Sequence, residues 1–211
     1  MNAFLVVPLA ALGGLAVGWF LAPQTERYCD KLTARRRWAI AVTTAAVFAA
    51  LGWRFGASPV LPAYLYFGAV GTLLNFIDLA VKRLPDPFTL PSYGIGAALL
   101  AAAIPFVDDG VPHFVHAVIG MAALWVIYFL QHFFMPQAIG RGDMKLSGVL
   151  GLYLGWLGSD AWVYGLVAGA VLGGVVAVGL VLLRRKSWKS ELPYGPFMLA
   201  GTLIGILAAG G

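Results

Sequence analysis

Eight apolar runs, separated by short polar or charged breaks, constrain this chain more than any other feature. They cover roughly residues 3–22, 38–53, 60–79, 92–107, 114–134, 145–158, 161–183 and 194–209. A membrane span needs about 20 apolar residues, somewhat fewer inside a bundle. The chain is 61% hydrophobic and only 11% charged, where a soluble domain averages about 25% charged. Soluble packing cannot hide that much apolar surface. No strand-type alternation is present, and a backbone in lipid must satisfy its own hydrogen bonds, so the spans are helices. The expected class is an all-α polytopic membrane protein of about eight transmembrane helices. The sixth run is short and glycine-rich, and it follows Asp143 closely.

The loops give the topology. The break after the first run holds Arg27, Lys31, Arg35, Arg36 and Arg37; the third carries Lys82 and Arg83; the fifth Arg141 and Lys145; the seventh Arg184, Arg185, Lys186 and Lys189. Thirteen of the fourteen basic residues thus fall on alternate loops, and only Arg54 lies on the other side with Asp108, Asp109 and Asp160. The positive-inside rule puts these four loops in the cytoplasm and both termini outside. It also accounts for the net charge of +5 through cytoplasmic loops, with no need for a nucleic-acid partner. No Lys or Arg precedes the first run, so it reads as a retained helix and not as a signal peptide. Spacing-four glycines (Gly14 and Gly18; Gly165, Gly169 and Gly173; Gly201 and Gly205) predict close helix packing within the chain, with homodimerisation as the alternative use. The oligomeric state is not set by the sequence.

An ionisable residue inside a membrane marks a functional site by default. Asp78 ends the third run and Asp143 precedes the sixth, so the topology puts them on one side at similar depth. Three readings stand. Each acid caps a helix or pairs with a loop base, Asp143 suiting an N-cap. The two form a proton or cation path, as in a transporter. Or they form an aspartic protease dyad sharing one proton, one carboxyl taking a proton from the attacking water while the other donates to the amide carbonyl. Gly140 and Gly142 favour the third reading: glycine permits positive φ and close backbone approach, and an extended peptide can bond strand-wise to such a loop.

Three segments carry a resemblance. "GRGDMKL" (140–146) resembles the G-x-G-D motif of the type IV prepilin peptidases, a family of intramembrane aspartic proteases. "ID" (77–78) followed by "LPDPFTLP" (84–91) resembles their other aspartate motif, and "ELPYGPFMLAG" (191–201) resembles the segment before their last helix. The resemblance covers about residues 60–205. It implies that Asp78 and Asp143 are the catalytic aspartates, that Gly140, Gly142 and Lys145 shape the site, and that Asp86 is a non-catalytic acid, read here as a turn acid before Pro87. It implies cleavage of class III leader peptides of pilin-like precursors at the cytoplasmic membrane face. The whole chain, 1–211, then reads as one transmembrane peptidase domain. Where many members carry a cytoplasmic domain with paired Cys-x-x-Cys zinc motifs and N-methylate their product, this chain has only the short basic loop 23–37 with a single cysteine, Cys29. A Cys₄ zinc site needs four thiolates. The expectation is a peptidase without methyltransferase activity, needing neither metal nor methyl donor, with the pilin-like precursor as substrate and membrane lipid as a partner. A non-enzymatic scaffold for pilus assembly or secretion is the remaining alternative to the transporter.

The other polar and aromatic residues have plainer readings. His113 and His116, near Asp108 and Asp109, read as interfacial residues before a cation site, and His132 as an interfacial residue near the site. Trp19, Trp38, Trp53, Trp156, Trp162 and Trp188 fall near span ends and read as interfacial belts, Trp125 as packing or lipid-facing. Arg35, Arg36 and Arg37 read as an anchor of the second span, in reach of anionic lipid.

Overall fold

The computed structural model describes residues 3–29, 31–135, 139–182 and 193–209. Arg184, Arg185, Lys186, Lys189 and Trp188 lie outside the described residues, as do Glu191 and Leu192 of the third motif. Eight α-helices form among the described residues: α1 (Ala3–Leu21), α2 (Ala34–Phe55), α3 (Leu61–Val81), α4 (Asp86–Ala103), α5 (Gly110–Phe134), α6 (Arg141–Trp156), α7 (Ser159–Leu182) and α8 (Gly195–Ala208). They match the eight apolar runs one for one. Six of them, α1 to α5 and α7, are long and apolar enough to cross a membrane, and the chain is a polytopic helical membrane protein. Several helices begin before the apolar run does. α4 starts six residues early, because Pro87 suits a first turn and Pro91 sits only one turn further in, where few helix bonds are lost.

Three antiparallel hairpins build the bundle, and glycine closes each. Gly14 and Gly18 of α1 lie against Ala45 and Ala41 of α2. Gly120 of α5 lies against Gly151 and Gly155 of α6, and Gly201 and Gly205 of α8 lie against Gly169 and Gly165 of α7. The glycine ladders read from the sequence therefore pack within the chain. Lipid is as apolar as a leucine side chain, so helix association rests on close contact and interhelical hydrogen bonds more than on hydrophobic burial.

Helix α6 runs through the middle. Every residue from 146 to 156 is buried, and α6 packs on α4, α5, α7 and α8. A helix covered on all sides needs no more length than the core requires, which accounts for its 16 residues. Trp156 is correspondingly only 2% exposed. This corrects its reading as an interfacial belt residue: its carbonyl meets His113 Nδ1 at 2.8 Å and its ring stacks on that imidazole. His113 is thereby committed to packing α5 on α6.

The two ends of the bundle are tied differently. At one end Arg54, the basic residue that broke the loop-charge pattern, donates from Nε to Ile206 O (3.2 Å) and from Nη2 to Ala209 O (2.7 Å). It caps the negative end of the α8 dipole. At the other end Arg37 donates to Trp19 O and lies over the Trp19 ring, while Arg36 donates to Phe76 O near the end of α3. Two of the three arginines read as an anchor thus fasten α2 to α1 and α3.

Gly151→Val places a side chain on the Gly120 carbonyl oxygen and should cost about 1–3 kcal/mol or more. Gly13→Val, whose Cβ meets nothing within 4 Å, is the matched control and should be near neutral. Thermal unfolding of both variants in detergent checks this.

Candidate functional site

Asp78 sits in the last turn of α3. The helix stops four residues later because Lys82 adopts a left-handed conformation (φ 52°, ψ 40°), with its amide bonded to Asp78 O at 2.8 Å. A side chain on a left-handed residue is strained, so this stop is held by its surroundings. The Asp78 side chain turns inward and is only 4% exposed. Its Oδ2 is buried and makes no well-formed hydrogen bond among the described residues, with the Gly195 amide as backbone support for the carboxylate. A carboxylate buried with so little polar support calls for a functional explanation.

Asp143 lies in the first turn of α6. The expected N-cap role falls instead to Gly140, whose backbone is extended (φ −73°, ψ 154°). Asp143 stands three residues on, and its Oδ2 accepts from Gly140 N–H at 3.2 Å. A carboxylate at this position reaches back to the cap amide and faces the positive end of the helix dipole. Asp143 lies within electrostatic reach of the Asp78 carboxylate, so the ends of α3 and α6 bring the two acids to one region.

The glycines work by close approach alone. Gly140 has negative φ, so the positive-φ role allowed for it from the sequence is not used. A Cβ on Gly142 would fall 3.0 Å from Leu84 Cβ. Leu84 is buried, and its Cδ1 also lies 3.4 Å from where a Cβ would stand on Gly195. Gly195, the first residue of α8, in turn abuts Asp78: its Cβ would lie 2.7 Å from Oδ2. Leu84 therefore wedges between the backbone next to one aspartate and the backbone facing the other.

Asp86 is not the plain turn acid expected. It opens α4, and both its carboxylate oxygens lie 2.7 Å from Lys145 Nζ. The reason is geometric: the stop at Lys82 folds residues 83–85 back toward α6, which brings Asp86 onto the lysine two residues beyond Asp143. Tyr93 adds a second tie from α4, its hydroxyl donating to Lys145 O and packing on Gly148. His132 meets Ile139 O at 2.7 Å through Nδ1, fixing the approach to the glycine loop. Tyr128 of α5 is buried within electrostatic reach of Asp143, with the Tyr194 ring 6.3 Å away.

A cavity of about 170 Å³ lies between α3, α2 and α8, with neither acid in its lining. Asn75, one turn before Asp78, and Pro196, next to Gly195, line its near end. Sequence reasoning missed Gly195, Leu84 and Tyr128 as site residues. The first two stood inside quoted motifs, where a small residue and a lone apolar residue among prolines were the available signals.

Comparison with known proteins agrees with this architecture. The model of the Type IV leader peptidase family matches residues 65–178. A prepilin leader peptidase/N-methyltransferase of Aeromonas hydrophila is 31% identical over 190 residues, covering 88% of this chain and 60% of that protein. One from Aeromonas salmonicida (strain A449) is 32% identical over 137 residues, covering 64% of this chain and 45% of that protein. The leader peptidase HopD of Escherichia coli is 31% identical over 148 residues, covering 68% of this chain and 91% of that protein. The chain thus spans about half the length of the first two relatives and matches most of the third. No solved structure matches.

Proposed function

The chain belongs to the type IV leader peptidase family, and from that membership and the carboxylate geometry we propose that it is a prepilin peptidase of the aspartic type. Asp78 and Asp143 form the catalytic dyad. The substrate is the class III leader of a pilin-like precursor, cut at the cytoplasmic face of the bacterial inner membrane, where the loop charges put this end of the bundle.

The observation that carries the reading is the buried Asp78 carboxylate, only 4% exposed, within electrostatic reach of Asp143. Two carboxyls so placed share one proton and titrate as a pair. The ionised member takes a proton from water as the water oxygen bonds to the scissile carbonyl carbon. The protonated member gives its proton to the carbonyl oxygen. The tetrahedral diol collapses: one hydroxyl returns its proton to the carboxylate that had donated, the C–N bond breaks, and the proton taken from water passes to the leaving nitrogen, leaving a carboxylic acid, a new amine and the dyad in its starting state. Gly140 and Gly142 leave the backbone beside Asp143 free of side chains, so an extended substrate backbone fits against it. The cavity by Asn75 and Pro196 accommodates residues flanking the cut.

The small void lined by Leu74, Leu146, Leu150 and Leu199 carries the hydroxyls of Tyr66, Thr89, Ser92 and Tyr153 but no carboxylate, histidine or basic residue among the described residues, which suits a dyad better than the continuing ionisable path of a transporter. Methyl transfer is assigned to a separate enzyme. The connection between α1 and α2 contains only Cys29, and HopD, the relative matched over most of its length, is titled a leader peptidase alone.

Co-expression with a pilin precursor tests this by the gel shift of leader removal. Asp78→Asn and Asp143→Asn should each lower cleavage by about 10²–10⁴-fold, with the protein still inserted. Near wild-type cleavage by either variant rejects the dyad. Gly195→Ala, which pushes a methyl group onto the Asp78 carboxylate, should lower cleavage by about 10²-fold with little change in insertion.

A further inference from the structure

Asp86 and Lys145 form an ion pair at 2.7 Å that joins the two aspartate motifs. The chain from 78 to 86 is a short closed link. It leaves Asp78, turns at Lys82, seats Leu84 against Gly142 and Gly195, and ends with the Asp86 carboxylate on Lys145. Lys145 is two residues beyond Asp143, so the link runs from the backbone of one acid to the backbone of the other. Among the described residues, this pair is the polar contact that closes it on α6.

We infer that Asp86 and Lys145 act together as positioning residues, their ion pair setting the separation of Asp78 and Asp143 without touching the substrate. The inference rests on the dyad reading above. Side-chain exposures of 27% for Lys145 and 52% for Asp86 place the pair at the surface. Exposed pairs add little to stability, so this one is poorly suited to holding the bundle together. Placement is another matter: a shift of about 1 Å at reacting groups costs on the order of 10²-fold in rate. Helix α4 supports the role independently, since Tyr93 grips the Lys145 carbonyl on the neighbouring turn. α4 also packs further along α6, with Gly96 against Tyr153, but its two polar contacts converge on Lys145 in the first turn.

The test uses the full chain in membranes, with steady-state cleavage of a pilin precursor and thermal unfolding measured together. Asp86→Asn and Lys145→Met should each lower kcat by about 10–100-fold, with KM within about twofold and unfolding temperature nearly unchanged. Lys145→Arg, which keeps the charge and can bind a carboxylate with two donors, should stay within about threefold of wild type. The reversed pair Asp86→Lys with Lys145→Glu should recover about tenfold over the weaker single variant. Wild-type kcat in both single variants overturns the clamp, as does a reversed pair no better than either single. A loss of stability that tracks the loss of rate overturns it in favour of a structural role, and a rise in KM at constant kcat in favour of substrate contact. Asp78→Asn separates the two levels. If it still cleaves, the dyad fails; if it is inactive while Asp86→Asn cleaves normally, the clamp alone fails.

Discussion

Backbone contact at glycine is the constraint on which the rest of this molecule depends. In lipid, apolar side chains do not drive helices together, so association needs close packing and a few polar bonds. Gly14 and Gly18, Gly151 and Gly155, and Gly201 and Gly205 supply it for three hairpins. The consequence is positional. Only with α5 and α7–α8 drawn in this tightly can α6 be covered on every side from 146 to 156, and only then does its polar first turn emerge beside the end of α3.

The acids gain their properties from where those helices end. Asp78 is the last polar residue before a left-handed stop, so its carboxylate turns into the bundle and not out to the loop. Asp143 is held by the Gly140 amide at the start of a helix, where negative charge is favoured. Both carboxylates are poorly solvated, each has one backbone amide in support (Gly195 for Asp78, Gly140 for Asp143), and they lie within electrostatic reach of one another. Two such environments side by side are the arrangement in which one proton is most easily shared. The packing that buries Asp78 requires Gly195 to lack a side chain, so a third helix takes part in a chemistry to which it lends no ionisable group.

Much of this was legible in the sequence, for physical reasons. Apolar runs report helices well where the backbone has no other choice, and all eight appear, with ends misjudged where prolines or charged residues fit a first turn. Asp78 and Asp143 stood out because a charge is costly there. What the sequence hid were contacts between residues that look ordinary alone. Asp86 reads as a turn acid until the stop at Lys82 directs it to Lys145, and positive φ at Lys82 has no marker in a lysine. Trp156 reads as interfacial from its place at a span end, whereas burial of α6 on all sides makes that end part of the core. Arg54 looked like an exception to the charge rule until α8 ended beside it. Tertiary proximity decided each of these, and local pattern does not contain it.

The family match ends at residue 178, before α8 begins. Yet α8 supplies Gly195 against Asp78 and Pro196 beside the adjoining cavity, and it is anchored at its far end by Arg54 from α2. The matched stretch therefore carries both carboxylates but not the surface that confines one of them. Confinement matters, because an exposed Asp78 would be solvated as an ordinary carboxylate and would have less reason to share a proton with its neighbour. On this view the helices outside the match do more than complete a membrane topology. α2 holds α8 in place, and α8 closes over Asp78, so the enclosure of that carboxylate depends on both.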